Sequence, residues 1–149
     1  MPLIDAYVPA GTLSEEAAAQ LLDDLATTLL RWEGAPDTDF FREITWVYLH
    51  EVEPGRVAVG GRPGGAPRFR INVTVPAGAL SDRRKAGLVG DVHQLVAAAA
   101  GIDPQGERAA HIWTLVNEVP EGNWGAGGQV IRFADLKNLS AVERQSADA

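Results

Sequence analysis

The sequence predicts an α+β sandwich in which two tandem β-α-β repeats merge into one four-stranded mixed sheet with two helices on one face. Three observations carry this expectation. The chain repeats itself at an offset of 67 residues without gaps. Each copy runs from a short apolar strand through an amphipathic helix to a second strand. Gly or Pro punctuates each junction.

The repeat is explicit. Val8-Pro9-Ala10-Gly11-Thr12-Leu13-Ser14 returns as Val75-Pro76-Ala77-Gly78-Ala79-Leu80-Ser81, Trp46 as Trp113, Glu51-Val52 as Glu118-Val119, and Gly60-Gly61 as Gly127-Gly128. Residues 2–61 and 69–128 share 17 of 60 aligned positions, where unrelated segments of this composition would share about 4 or 5. The first strands are Leu3 to Val8 and Phe69 to Val75, each closed by Pro and Gly. Ser14 followed by Glu15-Glu16, and Ser81 followed by Asp82, are N-cap signals with acid in the first turn. One helix stripe is Ala18, Leu21, Leu22, Leu25, Leu29 and Trp32, ending at Gly34. The other is Leu88, Val92, Leu95, Val96 and Ala99, ending at Gly101. The second strands are Ile44 to Val52 and His111 to Val119. A strand-helix-strand unit of this length makes a parallel pair with a right-handed crossover. The expected organisation is one domain over 2–136, comprising the copy 2–61, a Pro/Gly-rich connector 62–68, and the copy 69–128 with its hairpin to about 136. Residues 137–149 are expected as a polar tail, frayed after Leu139. Two copies should be related by a pseudo-twofold axis between the strands starting at Leu3 and Phe69. Apolar residues on both faces of the second strands imply that the face without helices is covered by further copies.

Composition narrows the function. The 149 residues carry 13 Lys+Arg against 20 Asp+Glu, a net charge of −7, which argues against nucleic-acid and anionic-membrane partners. There is no cysteine, so disulfides, thiolate metal sites and Cys nucleophiles are excluded. No apolar run reaches the length of a membrane span and no basic-then-apolar leader opens the chain; a cytoplasmic location is the expectation. His50, His93 and His111 are too far apart to form a helical ligand pair, and no metal or other cofactor is expected. The glycine-rich Gly122-Asn123-Trp124-Gly125-Ala126-Gly127-Gly128 reads as a hairpin needing positive φ and not as a phosphate loop.

The sharper feature is Pro2. Removal of Met1 would leave a secondary amine at the start of a strand. An α-amino group titrates near about 7.7–8.0 in water, and an apolar setting lowers it, so it would be a competent base near neutrality. The repeat partner of Pro2 is Phe69. Proline thus stands in the copy that has a chain terminus and is absent from the copy that has none.

Pro2 opening a short strand, the repeated β-α-β of about 60 residues, and the 122–128 hairpin together resemble the tautomerase superfamily, whose fold is the tautomerase (MIF-like) one. The second copy resembles a 4-oxalocrotonate tautomerase subunit. The double length resembles the fused members related to the cis-3-chloroacrylic acid dehalogenases and malonate semialdehyde decarboxylases. The resemblance spans residues 2 to about 136 and implies a homotrimer with Pro2 as catalytic base or acid. It also implies Trp124 as an apolar wall. Family arginines are missing: Thr12, Ala79 and Leu80 stand after the first strands, and Trp46 and Trp113 on the second. Dehalogenase positions are filled by Leu29, Pro76, Ala79, Leu115 and Ala126, and Asp39 is the one match to the decarboxylase acid. The expected site is therefore Pro2 as base, with Trp124, Arg132 and Trp113 binding substrate. Arg56, Arg62, Arg68 and Arg70 are placed around the Phe69 end, away from Pro2, and His50 and Asn117 are read as structural. The expected function is keto-enol tautomerisation of a small 2-oxo acid. The alternatives are a Pro-dependent lyase or hydratase, marked by Asp39 close to Pro2, and a non-catalytic trimeric relative that retains Met1.

Overall fold

In the computed structural model, which describes residues 1–148, β1 (Leu3–Pro9) leads through α1 (Glu15–Glu33) and a short α2 (Asp39–Glu43) to β2 (Trp46–Val52). The hairpin β3 (Ala58–Val59) and β4 (Arg62–Pro63) closes the first copy. The second copy runs β5 (Phe69–Pro76), α3 (Asp82–Ala100), β6 (Ile112–Val119) and the hairpin β7 (Gly125–Ala126) and β8 (Gln129–Val130). A last helix, α4 (Phe133–Asp148), follows.

The four long strands form one mixed sheet in the order β2-β1-β5-β6. Both outer pairs are parallel and the central pair is antiparallel. In that pair Asp5 lies opposite Asn72, and these two are repeat partners at the 67-residue offset. The pseudo-twofold axis therefore passes between them, as the sequence led us to expect. The equivalence reaches the detail of single bonds. Trp46 Nε1 donates to Glu43 O at 2.9 Å, and its partner Trp113 Nε1 donates to Ala110 O at 3.1 Å. Each hairpin turns on a Gly-Gly pair with φ of 60° and 80°, the left-handed values that a tight two-residue turn requires and that glycine alone adopts without strain.

Both helices cover one face. Ile4, Ala6 and Val8 of β1 and Ile71, Val73 and Val75 of β5 are buried against Leu21, Leu25 and Leu29 of α1 and Leu88, Val92 and Val96 of α3. Each large side chain so buried stabilises the fold by about 1.5–3 kcal/mol. The caps are as expected: Ser14 Oγ accepts from Ala17 N at 3.1 Å and Ser81 Oγ from Arg84 N at 3.3 Å, while Gly34 and Gly101 end the helices with φ of 70° and 67°. The opposite sheet face is open and carries Trp46, Tyr48, Trp113 and Leu115, all exposed.

One expectation is corrected. Residues 137–148 do not fray; they extend α4, which turns back toward Met1 and buries Leu136. The helix is polar over most of its length, so its apolar contacts sit at few positions, Phe133 and Leu136 among them, and leave little periodic signal.

Where α1 meets α3, the Trp32 ring lies on Gly87, and its Nε1 donates to Asp91 Oδ2 at 2.7 Å. A β-carbon at 87 would sit 2.1 Å from the ring. Gly87→Ala should therefore destabilise the protein by about 1–3 kcal/mol through overpacking, against the gain of about 1 kcal/mol that alanine ordinarily brings to a helix interior; urea unfolding of the pair measures the sign.

Candidate functional site

The antiparallel centre places the start of β1 beside the end of β5. At that end of the sheet a cavity of about 270 Å³ is lined by Met1, Glu33, Pro76, Arg84, Lys137 and Arg144, among others. Pro2 is buried directly behind Met1, its carbonyl accepting from Trp46 N at 3.2 Å.

Glu33 is the last residue of α1. The helix ends there because Gly34 takes the left-handed conformation, its N–H bonding back to Arg31 O. The carbonyls that α1 leaves unpaired collect cations, as the negative end of a helix dipole does. Arg84 Nη1 donates to Glu33 O at 3.2 Å, and Arg144 Nη2 donates to Gly34 O. Arg84 comes from the first turn of α3 and Arg144 from α4, so three helices converge on the chain's first residue. The Glu33 carboxyl turns inward, and its Oε1 is buried without a hydrogen-bond partner. Burial pushes this carboxyl up to about 7, partly offset by the positive Met1 amine. Burial also lowers the Met1 amine below its ordinary value, partly offset by Glu33. An acid and an amine thus face each other, each shifted by burial toward its neutral form.

Of the residues expected at the site, Pro2 is the buried chain neighbour of Met1, which lines this cavity; Pro2 itself does not line it. Trp124 lies one layer behind it, in a small cleft with Pro76, Ile131, Phe133 and Leu136; Phe133 and Leu136 also wall the Met1 cavity. Arg132 is exposed and packs its guanidinium on Gly122, outside the cavity. Trp113 is not brought to Pro2. It is in register with Arg70 and Tyr7, about 16 Å away along β1 at roughly 3.3 Å per residue. Asp39 is an exposed first-turn residue of α2 and does not line the Met1 cavity. His50 Nε2 is 2.7 Å from Asp5 Oδ1, a structural pair on the open sheet face. Among the described residues no group of three or more His, Asp or Glu side chains is arranged to hold a metal, and no helix is long and apolar enough to cross a membrane.

The sequence reading missed Glu33, Arg84, Lys137 and Arg144. For Glu33 a signal existed. Its repeat partner is Ala100, so the acid, like Pro2, occurs only in the copy that starts the chain.

This architecture is shared with solved structures of about the same length, among them fused 4-OT proteins. The family model described as "Tautomerase enzyme" matches residues 70–134. Among solved structures, N1, a member of the cis-3-chloroacrylic acid dehalogenase family, is similar at 20% identity with a TM-score of 0.73, over 99% of each chain. Pt0534, in a form inactivated by 2-oxo-3-pentynoate, is 20% identical with a TM-score of 0.72, over 90% of this chain and 98% of that one. The F6 fused 4-OT, an asymmetric trimer, is 23% identical with a TM-score of 0.70, over 86% of this chain and 94% of that one. Among curated proteins no sequence matches.

Glu33 carries a stability signature. Its folded carboxyl titrates above the unfolded value of 4.5, near 7. The stabilising neutral form is thus complete below pH 4.5 and lost as pH rises through 7. Glu33→Gln, which cannot ionise, should gain stability relative to the parent across that window, by on the order of 1–3 kcal/mol, read from urea midpoints at pH 4.5 and 8.

Proposed function

We propose that the protein is a keto-enol tautomerase for small 2-oxo acids, with Pro2 as the base once Met1 is removed. The observation that carries this reading is the single cavity in which the amino end of the chain meets a buried carboxyl and a set of cations. With Met1 gone, the Pro2 nitrogen takes over the place of the amine beside Glu33. Burial that lowers the Met1 amine would act on the Pro2 amine in the same direction and favour the neutral form, whose lone pair can accept a proton.

The reaction then follows from the groups at hand. The Pro2 nitrogen accepts a proton from the carbon beside the 2-oxo group, so a C–H bond breaks and an N–H bond forms. The carbonyl oxygen takes a proton from the neutral Glu33 carboxyl and becomes the enol hydroxyl. Transfer from the Pro2 ammonium to the Glu33 carboxylate restores both groups. The substrate carboxylate is assigned to Arg84, Lys137 and Arg144, in place of Arg132. Trp124 supports the apolar wall through Phe133. The fold relative Pt0534 is inactivated by a compound of this class, 2-oxo-3-pentynoate, which supports the choice of substrate.

A carboxyl beside the amine also favours a second reading, a Pro-dependent lyase or hydratase in which Glu33 activates water or holds a departing carboxylate, the role the sequence had offered to Asp39. Carbon dioxide release from a 3-oxo acid, with no phenylpyruvate tautomerisation, would select it.

Activity tests the base. Phenylpyruvate tautomerisation should fall by about 10²–10⁴-fold in Pro2→Ala, and vanish to background in a form whose Met1 is retained, as verified by mass measurement. Undiminished activity in the Met1-retained form would remove Pro2 from the mechanism and leave a non-catalytic role for this end of the fold.

We further propose that the open sheet face closes by assembly into a homotrimer. Trp46 and Trp113 are 59% and 66% exposed, and the fused 4-OT relative is a trimer. Sedimentation at micromolar concentration should give three times the chain mass of 15.9 kDa, and Trp46→Glu should shift it toward the monomer.

A further inference from the structure

The other end of the sheet holds a larger cavity, of about 580 Å³, beneath the first-copy hairpin. This is within the size of a small-molecule site. It is built around Phe69, the repeat partner of Pro2, and is lined by Arg56, Arg68, Arg70, His111, Tyr7 and Trp113 with apolar hairpin residues. We propose that this cavity is a second ligand site, one that binds an organic carboxylate with an aromatic or apolar body and carries out no proton transfer.

Charge is the first argument. No acidic residue lines the cavity, although the chain as a whole carries −7. Among the described residues no carboxylate pairs with Arg56, Arg68 or Arg70. Three guanidiniums gathered without a counter-ion repel one another, and an anion among them relieves that cost. Two of the three guanidiniums are also held in place. Arg70 lies flat on the Tyr7 ring, 4.3 Å from its centroid. Arg68 Nη1 donates to Ala66 O at 2.7 Å and to His111 Nδ1 at 3.0 Å.

Asymmetry is the second argument. The repeat partners of Arg56, Arg68, Arg70 and His111 are Asn123, Met1, Leu3 and Ile44, none of them charged in its side chain. The cations are therefore no inheritance of the repeat; they are confined to the end where the base position is Phe69, buried and without an amine. Trp113 and Val59, both exposed, supply apolar surface for the body of the ligand. Phe69 supplies no proton acceptor, which makes this a binding site.

The cavity opens at one end of the sheet face on which assembly is proposed, so the test uses the full assembled chain. Phenylacetate is titrated while the indole N–H resonances of the four tryptophans are followed by NMR, with neutral phenylacetamide as control. The Trp113 resonance should move with phenylacetate, and phenylacetamide should bind at least about tenfold more weakly. Arg70→Gln and Arg56→Gln, both at exposed positions, should each weaken phenylacetate about tenfold or more, while Lys137→Gln at the Pro2 end should leave the Trp113 response unchanged. An unmoved Trp113 resonance at about 10 mM phenylacetate, equal binding of acid and amide, or indifference to both arginine substitutions would each overturn the proposal. Pro2→Ala distinguishes the two ends, since it removes tautomerase activity and should not alter this binding.

Discussion

The antiparallel pairing of β1 with β5 is the constraint on which the rest of the molecule depends. It is the one ladder that joins the two copies within the sheet, with Asp5 against Asn72 at its centre. Because the strands run in opposite directions, each end of the sheet combines the beginning of one copy with the end of the other. Met1 and Pro2 come to lie beside Pro76, while Phe69 comes to lie beside Tyr7 and Val8. A slip of one residue would send Ile4, Ala6 and Val8 to the open face, and both cavities would lose their walls along with the core.

From that common frame the two ends take different chemistry. At one, three helices close on the start of the chain, and a carboxyl is kept out of water without a partner for one oxygen. Burying such a group costs stability, and the cost falls on the carboxyl that faces the start of the chain. At the other, α1 and α4 do not intrude, the hairpin stands off the sheet, and arginines line a wider space. The second-copy hairpin has no comparable space beneath it, because Trp124, Ile131 and Phe133 fill the equivalent region before α4 begins.

Much of this was legible in the residues. The caps at Ser14 and Ser81, the helix stops at Gly34 and Gly101, and the Gly-Gly hairpins are local features, set by backbone preferences that a sequence displays directly. The difference between the two ends at Pro2 and Phe69 is visible in the sequence itself. Glu33 was not legible, since a glutamate at a helix end reads as a solvated charge until the tertiary fold shows what lies over it. Arg84 and Arg144 were hidden for the same reason: they reach the α1 carbonyls from helices remote in sequence. α2 escaped notice because five residues carry no period; Thr38 caps it and Arg42 ties it to Asp37 and Asp23. α4 escaped because its polar surface masks the few apolar positions that anchor it.

The connector between the copies has a consequence of its own. In a dimer of two separate, identical copies, every substitution appears twice, once at each end of the shared sheet. A change that suits one end must then be tolerated at the other. The stretch from Gly64 to Arg68 removes that restriction by making the two copies one chain. Phe69 is free to differ from Pro2, Ala100 from Glu33, and Arg56 from Asn123, while the paired strands between them stay alike. Five residues of linker thus turn a symmetric object with one kind of end into an asymmetric one with two, each able to change without the other's consent.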